Sequence, residues 1–125
     1  MTGKEYQKLA MRTNDGKAEH RLAKTEDIGS SINSVGGLLN GVLGLTGEAG
    51  EVADLVKKGI FHEKGIDLEH LQKELGDVMW YIAMICDSCG LDMECVMETN
   101  IEKLKARYPE GFDTFRANHR EVGDV

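Results

Sequence analysis

The sequence predicts an all-α domain of the four-helix-bundle type, and its composition and apolar periodicity carry that prediction. Only 6% of the 125 residues are aromatic, and Pro109 is the one proline. Glu, Leu, Lys and Met, which favour helices over strands, are frequent. Apolar residues make up 41% of the chain, which is enough for a folded core. Two long segments repeat apolar residues at alternating steps of three and four, the spacing of a packed helix face.

The first helix is predicted over residues 4–13 and ends at an Asn-Asp-Gly turn signal, residues 14–16. The chain from residue 14 to residue 34 is polar. It contains a weak helical pattern at residues 18–24, but we predict most of it as a loop.

The second helix is predicted over residues 35–58, with its end at Gly59. Glycine recurs every third residue in this helix, which lowers helix propensity by about 1 kcal/mol at each position. Such a row favours either the close approach of another helix or a locally irregular helix, because its spacing matches no phosphate-binding glycine motif. The glycines are Gly41, Gly44, Gly47 and Gly50.

The third and fourth helices have recognisable boundaries. Asp67 is a good N-cap and Gly90 a good C-cap for the third, and the fourth begins near Asp92 and ends before Pro109. Residues 110–125 are polar and are predicted to be a loosely held tail. Short connections between the later helices favour antiparallel neighbours in one bundle. We therefore expect the whole chain to form a single domain.

The charge balance excludes several kinds of partner. The chain has 22 acidic residues against 15 Lys plus Arg, a net charge of −7, whereas a protein that binds a nucleic-acid polymer needs a basic face. No run of about 18 apolar residues is present to span a membrane. The N-terminus lacks a secretory signal, and three cysteines do not suggest a disulfide framework. These features predict a cytoplasmic protein.

Two pairs of carboxylates stand out by their placement. Glu48 and Glu74 occupy positions in the two apolar stripes where the pattern requires an apolar side chain, and Glu51 and Asp77 follow one turn later. Packing of the two stripes would gather four carboxylates, and each buried charge costs several kcal/mol without a partner. Oxygen-only ligands suit Mg²⁺ or Mn²⁺. A hydrogen-bonded acid network without metal is the alternative.

The fourth helix carries a polar row at spacing i, i+3, i+7, formed by Asn100, Lys103 and Arg107. One interpretation is a solvated helix face. The other is a cationic wall that faces the carboxylates across a cleft, with a metal-bound polyphosphate between them.

Three stretches together resemble the MazG-like nucleoside triphosphate pyrophosphohydrolases. They are residues 43–54 (LGLTGEAGEVAD), residues 73–81 (KELGDVMWY) and residues 100–109 (NIEKLKARYP). The first two match the E-x-x-E…E-x-x-D pattern of that family, and the opening Glu-Tyr-Gln at residues 5–7 resembles the start of its small members.

The resemblance implies an all-α bundle that assembles as dimers or pairs of dimers, with sites near the subunit contacts. It implies Mg²⁺-dependent hydrolysis of an NTP or dNTP to the monophosphate and pyrophosphate, with Mn²⁺ as a possible substitute. Glu48 or Glu51 would orient or deprotonate the attacking water. By position, the metal ligands are Glu48, Glu51, Glu74 and Asp77. The implied substrate contacts are Lys103 and Arg107 for phosphates, Asn100 as a polar contact, and Tyr81 or Trp80 for the base.

Two other functions are compatible with the same residues. A phosphoribosyl-ATP pyrophosphatase uses a similar acidic arrangement within an all-α fold. A helical interaction module would present the acids to a basic partner and would bind neither Mg²⁺ nor nucleotide.

Overall fold

The computed structural model describes residues 1–27 and 32–125, and its regular secondary structure is helical throughout. This confirms the all-α class. A short 3₁₀ turn, Met11–Thr13, follows the first helix. None of the described helices is long and apolar enough to cross a membrane. The α-helices are α1 Gly3–Ala10, α2 Ala18–Asp27, α3 Val35–Phe61, α4 Leu68–Cys89, α5 Met93–Arg107 and α6 Thr114–Asn118.

Helix α2 corrects the prediction of a loop over residues 14–34. The segment is polar on average, but most of its residues are strong helix formers, and this propensity favours a helix. Asp15 supports its first turn, because the Arg21 guanidinium donates to the Asp15 carboxylate at 3.0 Å. Residues 28–31 of the predicted loop lie outside the described residues.

Helix α3 is longer than the sequence predicts. It begins after Ser34, whose Oγ accepts the Gly37 N–H at 2.9 Å, and it continues past Gly59 to Phe61. Gly59 is buried, and a Cβ there would lie 2.7 Å from Ile66 Cγ1. Its small size therefore lets the following chain fold back over the helix, instead of ending it.

The predicted boundaries of α4 and α5 are confirmed. The Asp67 carboxylate accepts the Glu69 and His70 N–H groups, and Gly90 ends α4 in the left-handed conformation with φ of 64°. Asp92 accepts the Glu94 N–H at 2.8 Å at the start of α5. These caps are local chemistry, which is why the sequence specifies them.

Helices α3 and α4 form the one extensive helix–helix interface in the described part of the chain. A Cβ on Gly41 would lie 2.7 Å from Ile85 Cγ1, and a Cβ on Gly44 would overlap the Tyr81 ring. A Cβ on Gly47 or Gly50 would meet nothing within 4 Å among the described residues. Close approach therefore explains the first two glycines of the row and leaves the last two without a packing role in this chain.

Large apolar side chains stay exposed on the outer faces of this helix pair. Leu43 on α3 is 71% exposed, and Met79 and Trp80 on α4 are 59% and 57% exposed. Helix α5 makes no extensive contact with either α3 or α4. The described residues of one chain therefore form a helix hairpin with appended helices, and they do not by themselves close a four-helix core.

The C-terminal residues 110–125 hold more structure than a polar tail. They include α6, whose N-cap Asp113 accepts the Phe115 N–H at 2.7 Å. Asp124 forms a two-point ion pair with Arg107 at the end of α5. These contacts bring the end of the segment against α5, and the loose attachment of the tail stays a prediction.

Candidate active site

Packing of α3 on α4 brings together three of the four predicted metal ligands. One carboxylate oxygen from each of Glu48, Glu74 and Asp77 lies within 4.8 Å of the other two. Glu48 and Glu74 are partly buried, and Asp77 is exposed. We call these three residues the acidic cluster. Glu48 follows Gly44 by one helical turn, so the close approach at that glycine sets the spacing between the two helices beside the cluster.

Glu51 lies outside the acidic cluster, one turn further along α3, and is exposed. The sequence predicted it as a fourth ligand of the same site. Its side chain is nevertheless close enough for its charge to help raise the pKa of Glu48.

The electrostatics of the acidic cluster favour a cation. Burial raises the pKa of Glu48 above its ordinary value, and the charges of Asp77 and Glu74 raise it further. Two of the nearby lysines are engaged elsewhere, since Lys58 pairs with Asp54 at 2.6 Å and Lys73 pairs with Glu69 at 3.1 Å. Within the described residues, no Lys or Arg forms an ion pair with the cluster.

His70 contacts the acidic cluster, and the sequence did not predict this contact. Its Nε2 lies 2.8 Å from Glu74 Oε1, and the Glu74 side chain is only 16% exposed to solvent. The signal was the i, i+4 spacing on one helix, which places the two side chains on the same face. The contact restricts the orientation of the Glu74 carboxylate.

The acidic cluster fits a small divalent cation. Mg²⁺ takes oxygen ligands at about 2.0–2.1 Å, so two of its ligand atoms lie about 3–4 Å apart. The three carboxylate oxygens need only a small inward movement to reach that spacing. All ligands are oxygens, which is the donor set that Mg²⁺ and Mn²⁺ prefer.

The predicted phosphate-binding row lies on α5 and is not packed against the acidic cluster. Lys103 and Arg107 are partly buried, while Asn100 is exposed. Lys103 Nζ donates to the Val125 carbonyl oxygen at 2.7 Å, and Arg107 Nε donates to Asp124 Oδ2 at 2.6 Å. Because α5 makes no extensive contact with α3 or α4, one chain does not place the two walls of the predicted cleft face to face.

Comparison with known proteins decides the family. The model of the MazG nucleotide pyrophosphohydrolase domain matches residues 38–112, more than half of the chain. The chain belongs to the MazG nucleotide pyrophosphohydrolase family. A protein of Mycobacterium phage L5 named Gene 37 protein is 39% identical over 83 residues, which cover 63% of this chain and 73% of the phage protein. No solved structure matches the chain.

The MazG match takes in α3, α4 and α5, and so includes the acidic cluster, Glu51, Lys103 and Arg107. It ends before α6 and before Asp124. The contact between Arg107 and Asp124 therefore joins a residue of the matched MazG segment to one outside it.

The two predicted base-stacking residues of the MazG segment have different surroundings. The Tyr81 ring lies against Gly44 in the α3–α4 interface, so its position is accounted for by packing. Trp80 is 57% exposed and meets the Tyr81 ring edge-on, with ring centroids 5.0 Å apart. Trp80 therefore offers the more accessible aromatic face.

Proposed function

We propose that this member of the MazG family is a Mg²⁺-dependent nucleoside triphosphate pyrophosphohydrolase, which converts an NTP or dNTP to the monophosphate and pyrophosphate. The observation that carries the proposal is the acidic cluster. Three carboxylates converge without a lysine or arginine partner among the described residues, in a family whose activity is nucleotide pyrophosphohydrolysis. Mn²⁺ is the expected substitute for Mg²⁺.

Glu48, Glu74 and Asp77 are the residues that hold the metal in this proposal, with Glu51 as a fourth acidic neighbour. When bound, Mg²⁺ supplies a positive charge that polarises phosphoryl oxygens and favours ionisation of water. His70 fixes the orientation of Glu74 through their 2.8 Å contact.

The remaining chemistry belongs to the side chains. Glu51 or Glu48 orients the attacking water and accepts its proton, and Glu51 has the more accessible carboxylate. The water oxygen forms a bond to the α-phosphorus, the bond from that phosphorus to the oxygen bridging to the β-phosphoryl group breaks, and pyrophosphate leaves with the electron pair. Lys103 and Arg107 neutralise the charge that grows on this leaving group, and Arg107 is able to bind two phosphate oxygens at once.

We propose that α5 of a second copy of the chain supplies the cationic wall that faces the acidic cluster. The exposed apolar side chains of α3 and α4, with Leu43 at 71% and Met79 at 59% exposure, favour a homo-oligomer, dimer or tetramer, that buries them. Such an interface would also bring α5 of one copy towards the acidic cluster of the other. Asn100 would then lie beside Lys103 and Arg107 as a polar contact, and Trp80 or Tyr81 would contact the base.

The test of the activity is pyrophosphate release across common and damaged NTPs and dNTPs with Mg²⁺. We expect monophosphate and pyrophosphate as products, and no turnover after chelation of the metal. Cleavage of phosphoribosyl-ATP alone would favour the related pyrophosphatase. If calorimetry detects neither Mg²⁺ nor nucleotide binding, the chain is a helical interaction module and the proposal fails.

The test of the shared site is subunit complementation. Glu74→Gln and Arg107→Gln each disable one wall, and the two inactive variants are mixed after partial denaturation. If each site uses acids from one copy and cations from the other, an equal mixture recovers about a quarter of wild-type activity. A mixture that stays inactive would show that each chain builds its own complete site.

A further inference from the structure

A cavity of about 590 Å³ lies between α5 and the C-terminal segment. We call it the tail groove. Two cationic residues of α5 line it, and the C-terminal segment adds two more. The four cations are Lys103, Arg107, Arg116 and Arg120. Three carboxylates also line the groove: Asp113, Glu121 and Asp124.

Asp124 occupies the hydrogen-bonding edge of the Arg107 guanidinium in the tail groove. Arg107 Nε donates to Asp124 Oδ2 at 2.6 Å, while Arg107 Nη2 donates to Asp124 Oδ1. The two side chains retain only 11% and 16% exposure. A guanidinium binds two phosphate oxygens with the same fork geometry. The Asp124 carboxylate therefore fills the place that a phosphate group would take on Arg107.

The surroundings of Asp124 attract an anion from more than one side. Its pKa is lowered chiefly by the hydrogen bond from Arg107, and the charges of Arg120 and Lys103 lower it as well. Asp113 does not compete for these cations in the same way, because its carboxylate accepts the Phe115 and Arg116 N–H groups at the start of α6. Arg107 thus holds the Asp124 carboxylate directly, while Arg120 and Lys103 attract it at longer range and Lys103 donates to the Val125 main-chain oxygen at 2.7 Å.

We propose that Asp124 is an internal competitor for substrate phosphate: its carboxylate holds Arg107, and an incoming polyphosphate displaces it and binds to Arg107, Lys103 and Arg120. The proposal rests on the proposed role of Lys103 and Arg107 in the pyrophosphohydrolase reaction, and it adds Arg120 as a phosphate contact. A polyphosphate carries several negative charges against the single charge of Asp124, so it matches the three cations better. Gly123, with φ of 90°, precedes Asp124 in a backbone conformation that favours glycine.

This arrangement has a quantitative consequence. Only chains in which Asp124 has left Arg107 bind phosphate, so the apparent dissociation constant is the intrinsic one divided by the fraction of such chains. Removal of the Asp124 charge raises that fraction and should tighten binding without adding any contact.

The experiment titrates inorganic tripolyphosphate into the full chain by calorimetry, without Mg²⁺. Asp124→Asn should bind about three- to tenfold more tightly than wild type, because the neutral amide holds Arg107 less firmly. Glu121→Gln is the matched control, since it removes one charge from the same groove without touching Arg107, and it should change affinity less. Arg120→Gln should weaken binding, whereas Arg12→Gln, which lies outside the groove, should not.

Two-dimensional NMR of the wild-type chain gives a second readout that needs no variant. Tripolyphosphate should shift the backbone N–H signal of Asp124, because this residue leaves Arg107 while Arg120 stays in the groove. This measurement decides the question if Asp124→Asn does not fold.

The outcomes separate the competitor role from the enzymatic function. If Asp124→Asn binds tripolyphosphate no better than Glu121→Gln, or if tripolyphosphate binds the wild-type chain and leaves the Asp124 N–H signal unchanged, Asp124 is a structural partner of Arg107 and the proposal is overturned. Tighter binding by Asp124→Asn in a chain that hydrolyses no nucleotide would support the competitor role and overturn the proposed function alone.

Discussion

The acidic cluster and the tail groove place charge in opposite ways. In the acidic cluster, Glu48, Glu74 and Asp77 converge with no lysine or arginine partner among the described residues. In the tail groove, Arg107 is paired with an internal carboxylate through two hydrogen bonds. The carboxylates of the acidic cluster therefore lack a paired lysine or arginine among the described residues, whereas Arg107 in the tail groove is already paired with a carboxylate.

The difference teaches what each region needs before it can bind a nucleotide. The acidic cluster needs an added cation, because burial and neighbouring charges raise the pKa of Glu48. The tail groove needs its own carboxylate removed from Arg107. Four predictions test this contrast.

The largest effect is expected in the acidic cluster. Glu48→Gln and Glu74→Gln should each reduce kcat/KM by at least about 100-fold. Mutation of a residue that only supports a metal ligand already lowers metal affinity or activity by about 10- to 100-fold. Far-ultraviolet circular dichroism should show an unchanged helix content. Glu69→Gln is the control, because Glu69 is an exposed acid on the same helix and pairs with Lys73. Near-wild-type turnover in Glu74→Gln would contradict the assignment of Glu74 as a metal ligand.

The next effect is expected on α5. Arg107→Gln should lower kcat/KM by about 10- to 100-fold, in line with the loss of a hydrogen bond to a charged group. Steady-state kinetics on the best nucleotide should show most of this loss in KM if Arg107 chiefly binds the substrate. Lys105→Gln, on the exposed side of the same helix where Lys105 pairs with Glu102, should change little.

The same variant has a second role, because Arg107 also holds the tail. Combining Arg107→Gln with Asp124→Asn removes both partners of the ion pair. If the activity loss of the single variant came only from a released tail, the double variant would lose no more activity than Asp124→Asn alone.

The spacing of α3 and α4 should matter for the acidic cluster and not for the tail groove. Gly44→Ala should destabilise the fold by about 1–3 kcal/mol, because the added methyl overlaps the Tyr81 ring. Gly47→Ala has open space and should instead stabilise the helix by up to about 1 kcal/mol. Urea unfolding of the two variants measures the contrast, and equal stabilities would contradict the close approach at Gly44.

The smallest effect is a difference in pH response. The raised pKa of Glu48 stabilises the metal-free fold below the ordinary carboxyl pKa of about 4.5, and this contribution is lost as the pH rises through the folded value. The lowered pKa of Asp124 has the opposite sign: its contribution is present above about 3.8 and is lost as the pH falls through the folded value.

Thermal unfolding in a chelator from pH 4 to pH 8 checks the Glu48 part. Glu48→Gln should melt above wild type at pH 7, and the gap should narrow towards pH 4. Saturating Mg²⁺ should raise the melting temperature of the wild type and leave that of the variant almost unchanged. A gap that widens on acidification would contradict the assigned direction.

The parts of the fold that sequence predicted well are those governed by local chemistry. Asp67, Gly90 and Asp92 each satisfy backbone groups within one helical turn, so their identity is enough to locate the helix ends. Helix α2 was missed because its helical propensity is not accompanied by an apolar face. The sequence predicts a helix end at Gly59, and this is wrong. Gly59 is small because the chain folds back and packs Ile66 against it, a contact that helix propensity does not reveal.

The candidate site also has features that the sequence predicts and features that depend on tertiary packing. The apolar stripes predicted that Glu48, Glu74 and Asp77 would meet, because helical periodicity fixes which side chains share a face. They did not separate Glu51 from the group, since a shared face does not give the distance across the interface. The sequence could not predict that Arg107 pairs with Asp124, 17 residues away, because the chain offers many other acidic residues as partners.

By itself, the sequence determined the all-α class, the caps of the later helices, the family, and the chemical character of the two charged rows. These depend on residue type and on spacing along one helix. Tertiary structure alone decided that Glu51 stays outside the acidic cluster and that Asp124 pairs with Arg107. Those features depend on how closely two segments approach, and Gly44 permits the close approach of α3 and α4 because it has no side chain.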